Sequence, residues 1–232
     1  MNLGDMPWTA LAARASETVL VVPLGSTEQH GPHLPLSTDT DVAVALAQKL
    51  AQARPHVLVA PAVPYGASGE HAGFAGTLSI GQAALERLVI ELIRSADDFA
   101  GVMLVSGHGG NSPPIERAVA TLTAEGRRVV AWSPHTYHDA HAGRSETSLL
   151  LALDPNRVRV DAAEPGATKP LSELMAVLRA SGVRAVSPNG VLGDPSGASA
   201  EEGQVLLDAL TAELICEVDR FVAGVGGVGG GG

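Results

Sequence analysis

Four short apolar runs, each followed by polar residues and then by a helix-like pattern, constrain the fold of this chain more than any other feature. The runs cover residues 19–24, 57–63, 102–105 and 129–132. Runs that are this short and this apolar indicate strands that are buried on both faces. Because they alternate with helices, they predict a single-domain α/β fold, a three-layer α/β/α sandwich with a mainly parallel sheet.

Helices are predicted from apolar spacing and from residues that favour helix starts. They are expected over residues 38–53, from Ser79 with Gln82 as a capping box, from Pro113 to about Gly126, over 145–153, and from Ser199 with Glu202 as a capping box to about 222. We predict one domain over residues 1–223. The Gly- and Val-rich tail 224–232 is expected to be flexible, because it cannot bury enough surface to offset its ordering.

Composition excludes several classes of function. A net charge of −10 over 232 residues argues against a nucleic-acid partner, which needs a basic surface. The single cysteine, Cys216, excludes an internal disulfide and a thiolate zinc cluster. The sequence has neither a signal-peptide pattern nor an apolar run close to the roughly 20 residues that span a bilayer. We therefore expect no membrane partner and a cytoplasmic location.

Polar side chains follow the predicted strands at the point where each strand ends. Glu28 and His30 follow the first strand, His71 the second, His108 the third, and residues 135–141 the fourth. The carboxyl ends of parallel strands lie along one edge of a sheet, where ligands bind in such folds. The pattern therefore predicts a single site at this edge.

The segment 28–39 offers three possible metal ligands within twelve residues. Glu28 and His30 are two residues apart, so that in an extended chain both side chains point to the same side. Asp39 lies at a predicted helix start, where an acid is also a common cap. In the company of Glu28 and His30, we interpret Asp39 as a ligand.

Later segments add further candidates. His108 lies between glycines, which allow close approach of the backbone, and we interpret it as a ligand. Asn111 is left open between a helix cap and a functional residue. Glu146 lies in the first turn of a predicted helix, where an acid favours the dipole, but it precedes a packed apolar run and is a candidate ligand and catalytic group. His141 is the candidate proton shuttle.

The remaining histidines are assigned lesser roles. We expect His33 to steady a ligand and His56 to lie at the surface. His71, His135 and His138 are expected to line the pocket without binding metal.

The candidate ligands, three carboxylates and two or three histidines, differ from a closed structural zinc site, which favours cysteine. Mixed oxygen and nitrogen ligands suit zinc, iron or manganese, and carboxylate-rich sets often hold two ions. We therefore predict two divalent metal ions per subunit and the hydrolysis of an amide bond.

Together these motifs resemble the creatininase family. The matching motifs are Glu28-x-His30 with Asp39 eleven residues after Glu28, and the segments 107–111, 141–148, 190–195 and 200–203. The resemblance covers most of the chain, from about Val19 to the last helix. It implies a layered α/β fold, two divalent metals, a homo-oligomer and hydrolysis of non-standard amide C–N bonds.

The resemblance also implies a ligand set. Glu28, Asp39 and His108 would hold one metal, and His30 with Asp39 would hold the other, so that Asp39 bridges the two ions.

One position departs from the family pattern. Creatinine-hydrolysing members carry a glutamate where this chain has Gly110, two residues after His108. Glu146 is our candidate for the ligand that is then missing, and the departure disfavours creatinine as the substrate. His141 matches the catalytic histidine of the family, which implies that it protonates the leaving nitrogen.

Within the family, the chain most resembles members that cut peptides. This implies a peptidase that acts on a ribosomally made precursor peptide and releases its modified C-terminal Val-Tyr unit. Two alternatives stay open: a cyclic amidase or formamide hydrolase of the same family, and a non-catalytic metal-binding scaffold.

Overall fold

The structure, a computed structural model, describes residues 1–134 and 139–224. His135, His138 and the predicted tail beyond Gly224 lie outside the described residues. Within them, four strands form a parallel sheet in the order β2-β1-β3-β4. The strands are β1 Val19–Leu24, β2 Val57–Val59, β3 Gly101–Ser106 and β4 Val129–Trp132.

Eight α-helices of the described residues precede, connect or follow these strands along the chain. They are α1 Trp8–Ala12, α2 Thr38–Ala53, α3 Gln82–Arg94, α4 Ser112–Ala124, α5 Arg144–Leu153, α6 Leu171–Ser181, α7 Val183–Val186 and α8 Ala200–Val222. No helix in the described part of the chain is both long and apolar enough to cross a membrane.

Two hydrophobic cores lie on opposite faces of the sheet. Alternate residues of a strand point to opposite faces, and all six residues of β1 are buried. Val21 joins the core that contains residues of α2, α5 and α8. Leu20 joins the core that contains residues of α3 and α4. The predicted three-layer α/β/α sandwich is therefore confirmed.

The second strand is shorter than the sequence predicts, because β2 ends at Val59 and not at Val63. The N–H groups of Ala60 and Val63 still donate to carbonyls of β1, at 2.8 and 2.9 Å. Pro61 lies between them, and proline has no N–H to continue the ladder.

Two helix predictions also need correction. The Ser79 hydroxyl does not cap α3, since it accepts hydrogen bonds from the N–H groups of Ser68 (2.9 Å) and Gly81 (3.2 Å), and α3 begins at Gln82. The helices α6 and α7 were not predicted, although Leu171, Leu174 and Leu178 of α6 follow helical spacing; each helix buries a single residue, Leu174 or Val183. The Ser199 cap on α8 is confirmed by a 3.1 Å bond from the N–H of Glu202.

Candidate metal centre

Two glycines bring the start of α2 against the carboxyl ends of β1 and β3. A Cβ added to Gly25, which follows β1, would lie 2.2 Å from Oγ1 of Thr40. A Cβ added to Gly107, which follows β3, would lie 2.2 Å from the carbonyl oxygen of Asp39. The first turn of α2 can therefore reach the strand ends only because both positions lack a side chain.

Asp39 places one carboxylate oxygen towards each of two histidines. Its Oδ1 lies 3.0 Å from Nε2 of His30, and its Oδ2 lies 3.2 Å from Nδ1 of His108. The Ser26 hydroxyl donates to Oδ2 at 2.6 Å. The side chain makes no helix-capping hydrogen bond, since the capping position is Ser37. The carboxylate is therefore directed into the site and not back onto its own helix.

Both histidines are oriented by backbone carbonyls. Because a carbonyl can only accept, Nδ1 of His30 donates to the carbonyl of Glu28 (3.1 Å), which leaves Nε2 facing Asp39. In His108 the roles are reversed: Nε2 donates to the carbonyl of Ala67 at 3.3 Å, and Nδ1 faces the carboxylates. Such bonds from the far nitrogen are typical of metal-ligating histidines.

Glu28 is fully buried, with 0% of its surface exposed. Its Oε1 lies 3.2 Å from Nδ1 of His108, 3.2 Å from Nε2 of His71 and 3.9 Å from Nδ1 of His141. Even so, neither carboxylate oxygen accepts an aligned hydrogen bond from the described residues. A buried carboxylate without such partners is strongly disfavoured unless a cation compensates it, so this donor set fits a divalent metal.

Glu146 reaches the other side of the site from the first turn of α5. The backbone N–H of Ala142 donates to its Oε2 at 2.6 Å, and the same oxygen lies 3.9 Å from Nε2 of His30. Ala142 is buried and has a φ of 52°, a conformation that a non-glycine residue rarely adopts. The turn before α5 is thus shaped around the Glu146 carboxylate.

The ligand atoms fall into groups that could each hold an ion. Those within 4.8 Å of one another are Glu28 with Asp39 and His108, His30 with His141 and Glu146, and Glu28 with His71 and His141. All five predicted metal ligands are thus brought together, and Asp39 contacts both sides of the cluster.

Charge coupling shifts the pKa values inside this cluster. Burial opposes the charged form of His30, but Asp39, Glu146 and Glu28 outweigh it and raise its pKa to about 10. Burial likewise opposes ionisation of Asp39, but His30 and His108 hold its pKa well below the usual range. Burial raises the pKa of Glu146 to about 7, against the opposing effect of His30.

His141 is held as a neutral base. Its Nε2 donates to the backbone carbonyl of Gln29 at 2.8 Å, which leaves Nδ1 free towards Glu28. Burial, together with the charges of His30 and His71, holds the pKa of His141 well below its ordinary value. A neutral His141 must take up a proton before it can give one, a step that the sequence alone did not indicate.

The Gln29 side chain is a contact that sequence reasoning missed. Its amide nitrogen lies 2.8 Å from Nδ1 of His71 and 3.0 Å from the carbonyl of Gly190, to which it donates. His71 can then present Nε2–H towards Glu28, in keeping with its predicted place beside the metal ligands. Two-residue periodicity put Gln29 on the side opposite Glu28 and His30, so no sequence signal pointed to it.

Two other predicted residues have structural roles at the edge of the site. Nε2 of His33 lies 2.9 Å from Oγ1 of Thr147, beside Glu146 but not in contact with a ligand atom. Asn111 occupies the N-cap position of α4, but its side chain does not cap the helix: it donates to the carbonyl of Gly25 and accepts from the N–H of Ala67, both at 2.9 Å. It therefore ties together the loops that follow β1 and β2.

A cavity of about 940 Å³ opens beside the cluster. Glu28, His108 and His141 line one side, and Met175 and Leu178 of α6 line another. This volume lies near the upper end of typical small-ligand pockets, about 300–1,000 Å³, so it can take more than a small cyclic amide.

Comparisons with known proteins agree with this site. The creatininase family profile, described as creatinine amidohydrolase, matches residues 4–218. A mycofactocin precursor peptide peptidase of Mycolicibacterium smegmatis is 51% identical over 194 residues, which are 80% of this chain and 78% of that protein. A creatinine amidohydrolase of Pseudomonas putida is 30% identical over 242 residues, covering 89% of this chain and 91% of that protein.

A solved structure described as "Creatininase Mn" shares the fold. It superposes with a TM-score of 0.79 at 27% identity, and the match covers 94% of this chain and 97% of that chain. Relatives of both kinds, peptidase and creatinine amidohydrolase, thus match nearly the whole domain.

Proposed function

This chain belongs to the creatininase family, and we propose that it is a metal-dependent peptidase of mycofactocin biosynthesis. It would release the modified C-terminal Val-Tyr unit from a ribosomally made precursor peptide. The observation that carries the proposal is the buried, unsatisfied Glu28 carboxylate beside Asp39, in a chain that is 51% identical to a mycofactocin precursor peptide peptidase.

The proposed ligands divide between two ions. Glu28, Asp39 and His108 would hold one ion, and His30, Asp39 and Glu146 would hold the other; Asp39 faces His30 with Oδ1 and His108 with Oδ2. When bound, the two ions supply Lewis-acid activation of water and of the amide carbonyl. Zinc and iron suit these ligands and manganese is compatible with them.

His141 moves the proton in this proposal. Its Nδ1 is unprotonated and faces the cluster, while the carbonyl of Gln29 holds its Nε2–H. Nδ1 therefore accepts the proton of the attacking water and then delivers it to the leaving nitrogen. Glu146, whose Oε2 lies 3.9 Å from Nε2 of His30, is the second group that is proposed to act in catalysis.

Substrate size supports a peptide over a small cyclic amide. The cavity of about 940 Å³ is lined by Gly109 and Gly110 as well as by His108. A peptide backbone can approach closely at such glycines.

The test is direct cleavage. Metal-loaded protein is incubated with the modified precursor, and mass spectrometry should show loss of the C-terminal dipeptide unit. His141→Ala should keep its metals and lose cleavage, whereas His56→Ala, at the start of β2 and away from the site, should cleave as the wild type does.

The other outcomes separate the alternatives. An intact precursor together with hydrolysis of creatinine or of a formamide would contradict the peptidase and favour a cyclic amidase or deformylase. A His141→Ala protein that supports full biological output with its metals bound would favour a non-catalytic scaffold.

The remaining parts of the proposal concern assembly and location. A homo-oligomer rests on the family resemblance, and a cytoplasmic location rests on the single cysteine, which cannot form an internal disulfide.

A further inference from the structure

The side-chain amide of Gln29 is held in one orientation by two backbone groups. Its Oε1 accepts a hydrogen bond from the N–H of Gly31 at 2.9 Å, and its Nε2 donates to the carbonyl of Gly190 at 3.0 Å. Exchanging the two atoms would place oxygen against a carbonyl and nitrogen against an N–H, so the orientation of the amide is fixed. A Cβ added to Gly190, whose φ is 85°, would overlap Oε1 of Gln29, so this glycine leaves the space that the amide fills.

The amide nitrogen of Gln29 has two hydrogens to donate. Within the described residues, the carbonyl of Gly190 takes one, and the nearest other nitrogens are Nδ1 of His71 at 2.8 Å and Nε2 of His141 at 3.0 Å. Nε2 of His141 lies 2.8 Å from the backbone carbonyl of Gln29, which can only accept, so this nitrogen carries a proton and has no lone pair to offer. The second hydrogen is therefore donated to Nδ1 of His71.

His71 is held in a single tautomer as a result. A neutral imidazole has one N–H, so a ring that accepts at Nδ1 carries its proton on Nε2. That Nε2 lies 3.2 Å from Oε1 of Glu28, and both side chains are buried. The N–H and the carboxylate oxygen are not aligned well enough to satisfy the charge of Glu28. The contact therefore orients Oε1 and leaves its other lone pairs to a cation.

The position of this proton also limits how many ions the cluster can hold. The ligand atoms of Glu28, His71 and His141 lie within 4.8 Å of one another, which is close enough for a third ion. However, a ring nitrogen must be deprotonated to bind metal, and in His71 the deprotonated nitrogen is the one that accepts from Gln29. His71 therefore faces the cluster as a donor and not as a ligand.

We propose that Gln29 is a positioning residue, which acts through His71 to orient the Glu28 carboxylate for one metal ion and keeps His71 from binding an ion itself. The backbone carbonyl of the same residue leaves Nδ1 of His141 with its lone pair towards Glu28. Gln29 thus makes one histidine a donor and the other an acceptor. This inference rests on the metal centre of the proposed function but not on its peptide substrate.

The first test reads the tautomer directly, by nitrogen NMR of zinc-loaded protein that contains isotope-labelled histidine. His71 is identified by the signals that disappear in His71→Gln, and it should show a protonated Nε2 and an unprotonated Nδ1. Gln29→Met keeps the length of the side chain but removes the amide, so His71 should then show a mixture of tautomers. A wild-type His71 that carries its proton on Nδ1, or whose Nε2 binds zinc, would contradict the proposal.

The second test is zinc affinity, measured by competition with a chelator. His71→Leu should bind zinc about 10–100-fold more weakly than the wild type, which is the usual cost of losing a group that orients a metal ligand. His71→Gln keeps an N–H donor near the position of Nε2 and should stay within about threefold of the wild type. His56→Leu makes the same change at the start of β2, outside the cavity, and should leave the affinity unchanged.

Three further results would overturn the inference. These are a folded His71→Leu protein that binds zinc as tightly as the wild type, equal weakening in His71→Leu and His71→Gln, and three zinc ions per wild-type chain. If the wild type binds zinc but leaves the precursor intact, the proposed peptidase function fails by itself. The tautomer of His71 and the zinc affinities then still decide the role of Gln29.

Discussion

Replacing Asp39 by asparagine removes the charge at the centre of the cluster while keeping the shape of the side chain. Both carboxylate oxygens face histidines, His30 at 3.0 Å and His108 at 3.2 Å, and Asp39 is only 3% exposed. In metal-free protein the substitution therefore breaks a buried charge cluster. Removing one partner of a buried pair typically lowers the free energy of unfolding by about 3–5 kcal/mol.

The pKa of His30 gives an independent upper limit for the free energy that the cluster contributes to folding, and it predicts how that free energy depends on pH. Its value of about 10 in the fold, against an ordinary 6.5, corresponds to at most about 5 kcal/mol at 1.4 kcal/mol per pKa unit. Glu146 and Glu28 contribute to this value, so we assign about 3 kcal/mol to Asp39. Because the pKa is raised in the fold, this stabilisation is complete below pH 6.5 and is lost as the pH rises through about 10.

The assay is urea unfolding of the chelator-treated wild type and Asp39→Asn at pH 7.5 and pH 10. We expect a difference of about 3 kcal/mol at pH 7.5 that shrinks by half or more at pH 10. Asp208→Asn is the matched control, because its ion pair with Lys49 is exposed and should be worth at most about 1 kcal/mol. A difference below 1 kcal/mol at pH 7.5, or one that is equal at both pH values, would refute a charged pair between His30 and Asp39.

Two further predictions follow from the surroundings of the site. Gly107→Ala should lower metal content and activity at least tenfold, because its Cβ would lie 2.2 Å from the carbonyl oxygen of Asp39. Gly109→Ala is the control: its Cβ would have no atom within 4 Å, so it should behave as the wild type in the same metal and cleavage assays. Burial and the charge of His30 lower the pKa of His33 to about 4, so the stability that neutral His33 contributes above pH 6.5 should be lost as the pH falls towards 4. Urea unfolding of chelator-treated protein tests this: between pH 7 and 4.5 the free energy of unfolding of His33→Gln should fall by about 1–3 kcal/mol less than that of the wild type.

The parts of the fold that were predictable are those where burial and local chemistry agree. The limits of β1 and α2 coincide with the predicted ones, because a fully buried apolar run and a regular apolar stripe leave little choice of boundaries. The end of β2 and the start of α3 were wrong. The strand β2 ends early beside Pro61, which has no N–H for the ladder, and α3 begins late because the Ser79 hydroxyl accepts from Ser68, a contact that depends on the tertiary fold.

The candidate site likewise has parts that the sequence predicts and parts that depend on tertiary contacts. The ligand candidates were found because strand ends in a parallel sheet must meet at one edge, whatever the details of the loops. Gln29 was missed because its partners, His71 and Gly190, come from distant segments of the chain.

The charges of the cluster balance one another in the absence of a cation. Burial alone would make Glu28 and Asp39 unfavourable, but His30 and His108 have pKa values raised above neutrality and so carry the balancing positive charge. These imidazolium protons sit on the nitrogens that face the carboxylates, Nε2 of His30 and Nδ1 of His108. A divalent cation that takes the same nitrogens must displace those protons, because only a deprotonated imidazole nitrogen can bind metal. Metal binding is therefore coupled to proton release, and the same residues that stabilise the metal-free fold weaken its affinity for metal as the pH falls.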